Sequence, residues 1–233
     1  MEEEKVTQQV EEKQSKKSPK TFTILQSILL LILSLAITSG GGIALGNYYF
    51  WNDIDMKRVN EQLEFYKERV RIDPSNLENR IILGYTHYLK GDNKDAIREF
   101  LYVLGQDENY YDAHYNLGLV YLDEKRYNEA LTSFNKTVQI APKDFKGHVQ
   151  MGIAYRNLGM YEEAIKALNS ANQISRGNAD IIYQIGVVAE AMGDYQNAAD
   201  IYKDALEYDP LYKDAAEALE RLEANQPKAE GEE

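Results

Sequence analysis

Four glycines, Gly84, Gly118, Gly152 and Gly186, recur every 34 residues, and so do four alanines, Ala96, Ala130, Ala164 and Ala198. Eight small residues in unbroken register describe one structural unit copied end to end, with nothing inserted between copies. Within each copy, apolar residues sit beside the glycine (Leu83, Leu117, Met151, Ile185) and four residues after the alanine (Phe100, Phe134, Leu168, Tyr202). This is the spacing of two helices joined by a turn, marked by Gly91-Asp92, Lys125-Arg126, Gly159 and Gly193-Asp194. Small residues recur where the helices cross closely and a larger side chain would force the axes apart. A single helix pair cannot cover its own apolar face, so the copies must stack and the ends must be capped.

The second copy carries His114, Leu117, Gly118, Tyr121, Ala130, Phe134 and Pro142. It resembles the tetratricopeptide pattern W-x2-L-G-x2-Y, A-x3-F, P, departing only at His114. Copy one keeps Leu83, Gly84, Ala96 and Phe100, with Arg80, His87 and Glu108 where the family has Trp, Tyr and Pro. Copy three keeps Met151, Gly152, Tyr155, Ala164 and Leu168, with Arg176 at the proline position; copy four has Ile182, Ile185, Gly186, Ala198, Tyr202 and Pro210. The resemblance covers residues 77–212 and implies an all-α, right-handed superhelical solenoid. Its four tetratricopeptide (TPR) helix pairs span 77–110, 111–144, 145–178 and 179–212. Val59, Leu63, Tyr66 and Val70 are in phase with the second helices, so 53–76 is read as an N-terminal capping helix ended by Pro74. Ala215, Ala218, Leu219 and Leu222 make one apolar stripe on a charged helix over 213–222, the C-terminal solvating cap. The acidic tail 223–233 is expected to be disordered.

Residues 21–52 contain no charged side chain, and 24–45 are dominated by Leu, Ile, Ala and Gly. A membrane span needs roughly 20 apolar residues. One transmembrane helix is therefore expected over 21–51, with Tyr48, Tyr49, Phe50 and Trp51 at headgroup level. Lys13, Lys16, Lys17 and Lys20 precede it, while Asp53 and Asp55 follow. That bias puts the N-terminus and its disordered tail, 1–20, in the cytoplasm, and the repeats on the extracytoplasmic side of a bacterial cell membrane. Ser34-Leu35-Ala36 and Gly42-Ile43-Ala44 resemble cleavage sites, so a removed signal peptide and a secreted soluble protein form the alternative. Ala36, Gly40 and Ala44, with Gly42 and Gly46, also permit close approach of two helices and a homodimer through the span.

The formal charge is -12, and it is unevenly placed: residues 179–233 carry 14 acidic against 4 basic side chains. That field repels phosphate backbones, which argues against nucleic acid and for a partner that is basic or neutral towards the C-terminal repeat. In family register, the inner face of the superhelix carries Ile81, Tyr115, Val149 and Tyr183, then Ile82, Asn116, Gln150 and Gln184, then Tyr85, Leu119, Ile153 and Val187. Asn and Gln can pair with both polar groups of an extended peptide backbone while the aromatic neighbours hold its side chains. The binding set is therefore Tyr85, Tyr115, Asn116, Gln150, Tyr183 and Gln184, with Asp180 and Glu190 at the acidic end. The family's clamp for a terminal carboxylate has Lys where this chain has Ile, Tyr, Val and Tyr, which places carboxylate capture in doubt.

Nothing points to catalysis. No cysteine is present, which removes thiol nucleophiles and thiolate metal sites. No HExxH, P-loop, GxSxG or dinucleotide-binding glycine pattern appears. The three histidines, His87, His114 and His148, are assigned to packing, and no metal or cofactor is expected. The sequence thus reads as a membrane-tethered protein-binding adaptor or scaffold in an envelope complex of secretion, assembly or maturation. A self-associating structural membrane protein is the alternative.

Overall fold

The computed structural model describes residues 52–225 of the chain. The expected tail 1–20, the apolar span 21–51 and residues 226–233 lie outside the described residues. The chain divides into two units, Met1–Arg58 and Val59–Glu233. Of the first, only the opening of one helix is described; the repeats belong to the second.

Among the described residues the structure is ten helices in a row: α1 (Asn52–Ile72), α2 (Leu77–Lys90), α3 (Asn93–Gln106), α4 (Tyr111–Asp123), α5 (Tyr127–Ile140), α6 (Phe145–Asn157), α7 (Tyr161–Ile174), α8 (Ala179–Ala191), α9 (Tyr195–Tyr208) and α10 (Lys213–Asn225). Each repeat is one pair, α2–α3 to α8–α9, and each second helix packs on the first helix of the next repeat. The architecture is an all-α repeat solenoid of the tetratricopeptide kind. None of these helices is long and apolar enough to cross a membrane.

The 34-residue period has a steric cause. A Cβ added to Gly84 would stand 2.6 Å from the Phe100 ring, one on Gly118 2.5 Å from Phe134, one on Gly152 2.6 Å from Leu168, and one on Gly186 2.5 Å from Tyr202. Each repeat therefore locks its two helices by seating the bulky residue of the second helix on the bare backbone of the first. Ala96, Ala130, Ala164 and Ala198 are wholly buried in the same crossings, as are Phe100, Phe134, Leu168 and Tyr202. The turn between paired helices needs a left-handed residue, which glycine supplies in Gly91, Gly159 and Gly193. Repeat two places Lys125 there, at φ 59°, against the usual cost of a side chain in that region.

Two features differ from expectation. The last helix runs to Asn225 rather than ending at residue 222. Leu222 is buried on the stripe, and the helix-favouring Glu223 and Ala224 continue the turn that holds it there. In repeat one, Arg80 does more than stand in for an aromatic. Its Nη1 donates to Glu99 Oε2 at 2.8 Å, with both side chains nearly covered, and its guanidinium lies 3.5 Å from the centre of the Tyr102 ring. A buried ion pair replaces apolar packing at this crossing.

Candidate protein-binding face

The first helices of successive repeats lie against one another, α2 on α4, α4 on α6 and α6 on α8, so their outer residues form one continuous face. Their entry angles are set locally. Asn76 caps α2 by accepting from the Asn79 N–H, Asp144 caps α6 by accepting from the Lys146 N–H, and Asn178 caps α8 by accepting from the Asp180 and Ile181 N–H groups.

Three registers were expected on this face, and half of one of them is core. Ile81 and Val149 are buried, 8% and 4% exposed, within the apolar stack. At the same repeat position, Tyr115 and Tyr183 are half-buried, with their rings against the second-helix aromatics: Tyr115 lies 6.1 Å from Phe134, and Tyr183 lies 5.5 Å from Tyr202. The branched aliphatics are short enough to sink between the helices, whereas tyrosine carries its polar end outward. Tyr85, one helical turn on from Ile81, is 41% exposed.

The amide register is half-buried throughout, but its members are not equally free. Asn116 makes no side-chain hydrogen bond among the described residues. Gln150 lies beside Tyr115, where burial pushes the phenol up and a hydrogen bond from Gln150 opposes the shift. Gln184 accepts a hydrogen bond at 3.0 Å from Arg156 Nη1. Arg156 was not singled out from the sequence, although the signal was there: it occupies the repeat position of Tyr88, Leu122 and Glu190, and a lone cation in such a column is unusual. Burial depresses its pKa, and among the described residues no carboxylate pairs with it.

The acidic end is occupied from within. Asp180 Oδ1 accepts from the Tyr212 hydroxyl at 2.9 Å. Glu190 accepts from the Tyr202 hydroxyl at 2.7 Å and from Arg221 Nη2 at 2.8 and 2.7 Å. Burial, then the adjoining carboxylate, raises the pKa of both phenols, so each remains a donor at any ordinary pH. A similar bond, Tyr111 hydroxyl to Asp144 at 2.7 Å, ties the start of α4 to the N-cap of α6. Outside this face, His114 Nε2 donates to the Glu108 carbonyl at 2.9 Å. Its ring borders a cavity of about 310 Å³ with Leu104, Leu117 and Tyr121, a hollow that the family's larger Trp would help to fill.

Comparison with known proteins agrees with this architecture. A model of the family described as T7SS, ESX-1 secretion system protein EccA1, N-terminal domain, matches residues 65–223. TTC0263, a thermophilic TPR protein from Thermus thermophilus, superposes with a TM-score of 0.63 at 18% identity, covering 74% of this chain and 94% of that one. YrrB, a TPR protein with an unusual peptide-binding site, gives a TM-score of 0.58 at 23% identity, covering 80% and 97%. The human protein O-mannosyl-transferase TMTC1 is 26% identical over 89 residues, which are 38% of this chain and 10% of that protein. The chain thus spans about a tenth of the length of that relative.

Proposed function

Because the chain belongs to the family of the N-terminal domain of the ESX-1 secretion system protein EccA1, we propose that it is a protein-binding adaptor which holds an extended segment of its partner along the first-helix face. The observation that carries this reading is the inequality of the amide register. Asn116, half-buried next to Tyr115, makes no side-chain hydrogen bond among the described residues, and an amide so placed is matched by a peptide backbone. Tyr85 and Tyr115 flank it with apolar area at low entropic cost. YrrB, of the same fold, has an unusual peptide-binding site, which supports a peptide as the kind of ligand.

The apolar stretch 21–51 tethers the adaptor to a membrane in this reading, with the lysine-rich N-terminus cytoplasmic and the repeats outside, in an envelope complex of the secretion, assembly or maturation type. The partner is basic or neutral where it passes repeat four, because the acidic excess of residues 179–233 acts there as a field. Asp180 contributes to that field while bonded to Tyr212, whereas the charge of Glu190 is offset by Arg221. Self-association through the small residues of the span would add avidity without altering the face.

The test is photo-crosslinking in intact cells, with a photoreactive amino acid placed in turn at Tyr85, Asn116 and, as a control on a second helix, Lys136. Capture of one protein from positions 85 and 116 and not from 136 supports the reading. Capture from 136 alone moves the site off this face. Protease digestion of spheroplasts tests the orientation, since repeats that stay protected while the membrane is intact place them in the cytoplasm.

A further inference from the structure

Where α2 turns into α3, repeat one departs from the other three. His87 occupies the repeat position of Tyr121, Tyr155 and Ala189, and Asp92 and Asp95 open the next helix. The three side chains converge, with one ligand atom from each lying within 4.8 Å of the others. His87 is only 5% exposed, and its Nδ1 has no hydrogen-bond partner. The Asp92 Oδ2 that faces it is 3.5 Å away, beyond the reach of a good hydrogen bond. Asp92 in turn stands at the N-cap of α3 and makes no capping bond, whereas Asp194, its counterpart in repeat four, accepts from the Asn197 N–H. A buried nitrogen without a partner and a carboxylate turned away from its own helix thus face the same small space.

The gap between them has the size of a metal bite. Two ligand atoms, each about 2.1 Å from a zinc ion and at a tetrahedral angle, stand about 3.4 Å apart. We propose that His87 Nδ1, with one oxygen each from Asp92 and Asp95, binds a divalent transition-metal ion of the zinc type, water taking the fourth position. Two carboxylates balance the double charge, and an imidazole in the set favours zinc-like ions over magnesium and calcium, which prefer oxygen alone. They also offset the repulsion of a cation by the helix N-terminus. Lys90 Nζ, 3.2 Å from Asp92 Oδ2, must give way. Its side chain is 35% exposed and its ion pair is weak in water, so it swings aside at little cost, and Arg98, 64% exposed, must likewise release the Asp95 Oδ1 it holds. A bound ion would clip α2 to α3 at the turn that begins the repeat array.

Full-length chain stripped with a chelator is titrated with Zn²⁺ by calorimetry and with Co²⁺ by visible absorption, circular dichroism confirming the fold of each variant. The expected result is one ion per chain, four-coordinate cobalt bands and a melting temperature that rises with ion concentration. Asp92→Asn and Asp95→Asn change partly exposed side chains, so both fold, and each weakens binding by more than about tenfold, the loss typical of even an outer-shell partner. His114→Gln and His148→Gln bind as the parent does. Absence of saturable binding by the parent up to about 1 mM ion, or parental affinity in both aspartate variants, overturns the proposal.

Discussion

Repeats one and four each hold a charged group within the helix stack, and they neutralise it by different means. In repeat one, Arg80 on α2 pairs with Glu99 on α3, so the compensation lies inside the repeat. In repeat four, Glu190 on α8 is bound by Arg221, which belongs to α10. The acceptor is needed because Tyr202 stands where Phe100 and Phe134 stand, and its covered hydroxyl requires a partner. Repeat four therefore leans on the element after it through Arg221, and Asp180 is tied to Tyr212, the residue just before α10. α10 packs on α9 and covers the last face of repeat four, which leaves the middle of the array as the open part.

The comparison breaks most readily at Arg80. Arg80→Ala leaves the Glu99 carboxylate covered without its main cation, since Arg98 is 64% exposed and 3.4 Å off, and should cost about 3 kcal/mol in urea denaturation. Replacing both partners by leucine should recover most of that; a double variant as weak as the single would show that the pair is not the cause. Repeat two, with no buried ion pair among its described residues, gives the reference. Gly118→Leu drives a side chain into Phe134 and should cost about 1 to 3 kcal/mol. Gly105, with open space around its Cβ position, should gain up to about 1 kcal/mol as Gly105→Ala, and equal effects at the two glycines would contradict the steric origin of the period. Arg221→Ala, at a side chain 54% exposed, should cost less than about 1 kcal/mol globally. It should nevertheless speed amide exchange in α10 and leave α2 and α3 unchanged. Smallest is a pH effect: burial holds His148 below its ordinary 6.5. Protonation favours the unfolded chain, so its contribution is intact above pH 6.5 and is lost as pH falls through the depressed value. His148→Gln should flatten that limb of a melting-temperature profile.

The repeat, its register and its turns were legible because they follow from local crowding: a glycine opposite a ring repeats wherever the crossing repeats. Lys125 kept its turn because the flanking helices over-determine it, although the residue itself gives no such signal. The binding face was only half legible. Position in a repeat says which way a side chain leaves its helix, not how deep the neighbours let it sink, so Ile81 and Val149 were expected outward with Tyr115 and Tyr183. The engagement of Glu190 joins residues 31 apart, a separation that matches no repeat period, and depends on where the cap lands. The convergence of His87, Asp92 and Asp95 was hidden for another reason, since one residue closes a helix and two open the next.

The central claim is that the open middle of the first-helix face grips the partner's backbone. Its most direct measurement is titration of the crosslinked partner against the Asn116→Ala, Gln150→Ala double variant and, separately, Gln184→Ala. At about 0.5 to 1.5 kcal/mol for each lost hydrogen bond, the double variant should bind roughly tenfold more weakly, with unchanged helix content. Gln184, held by a charge-assisted bond from Arg156, should matter less than Gln150, whose bond to the neutral Tyr115 phenol is the weaker kind. Parental affinity in the double variant would contradict the account.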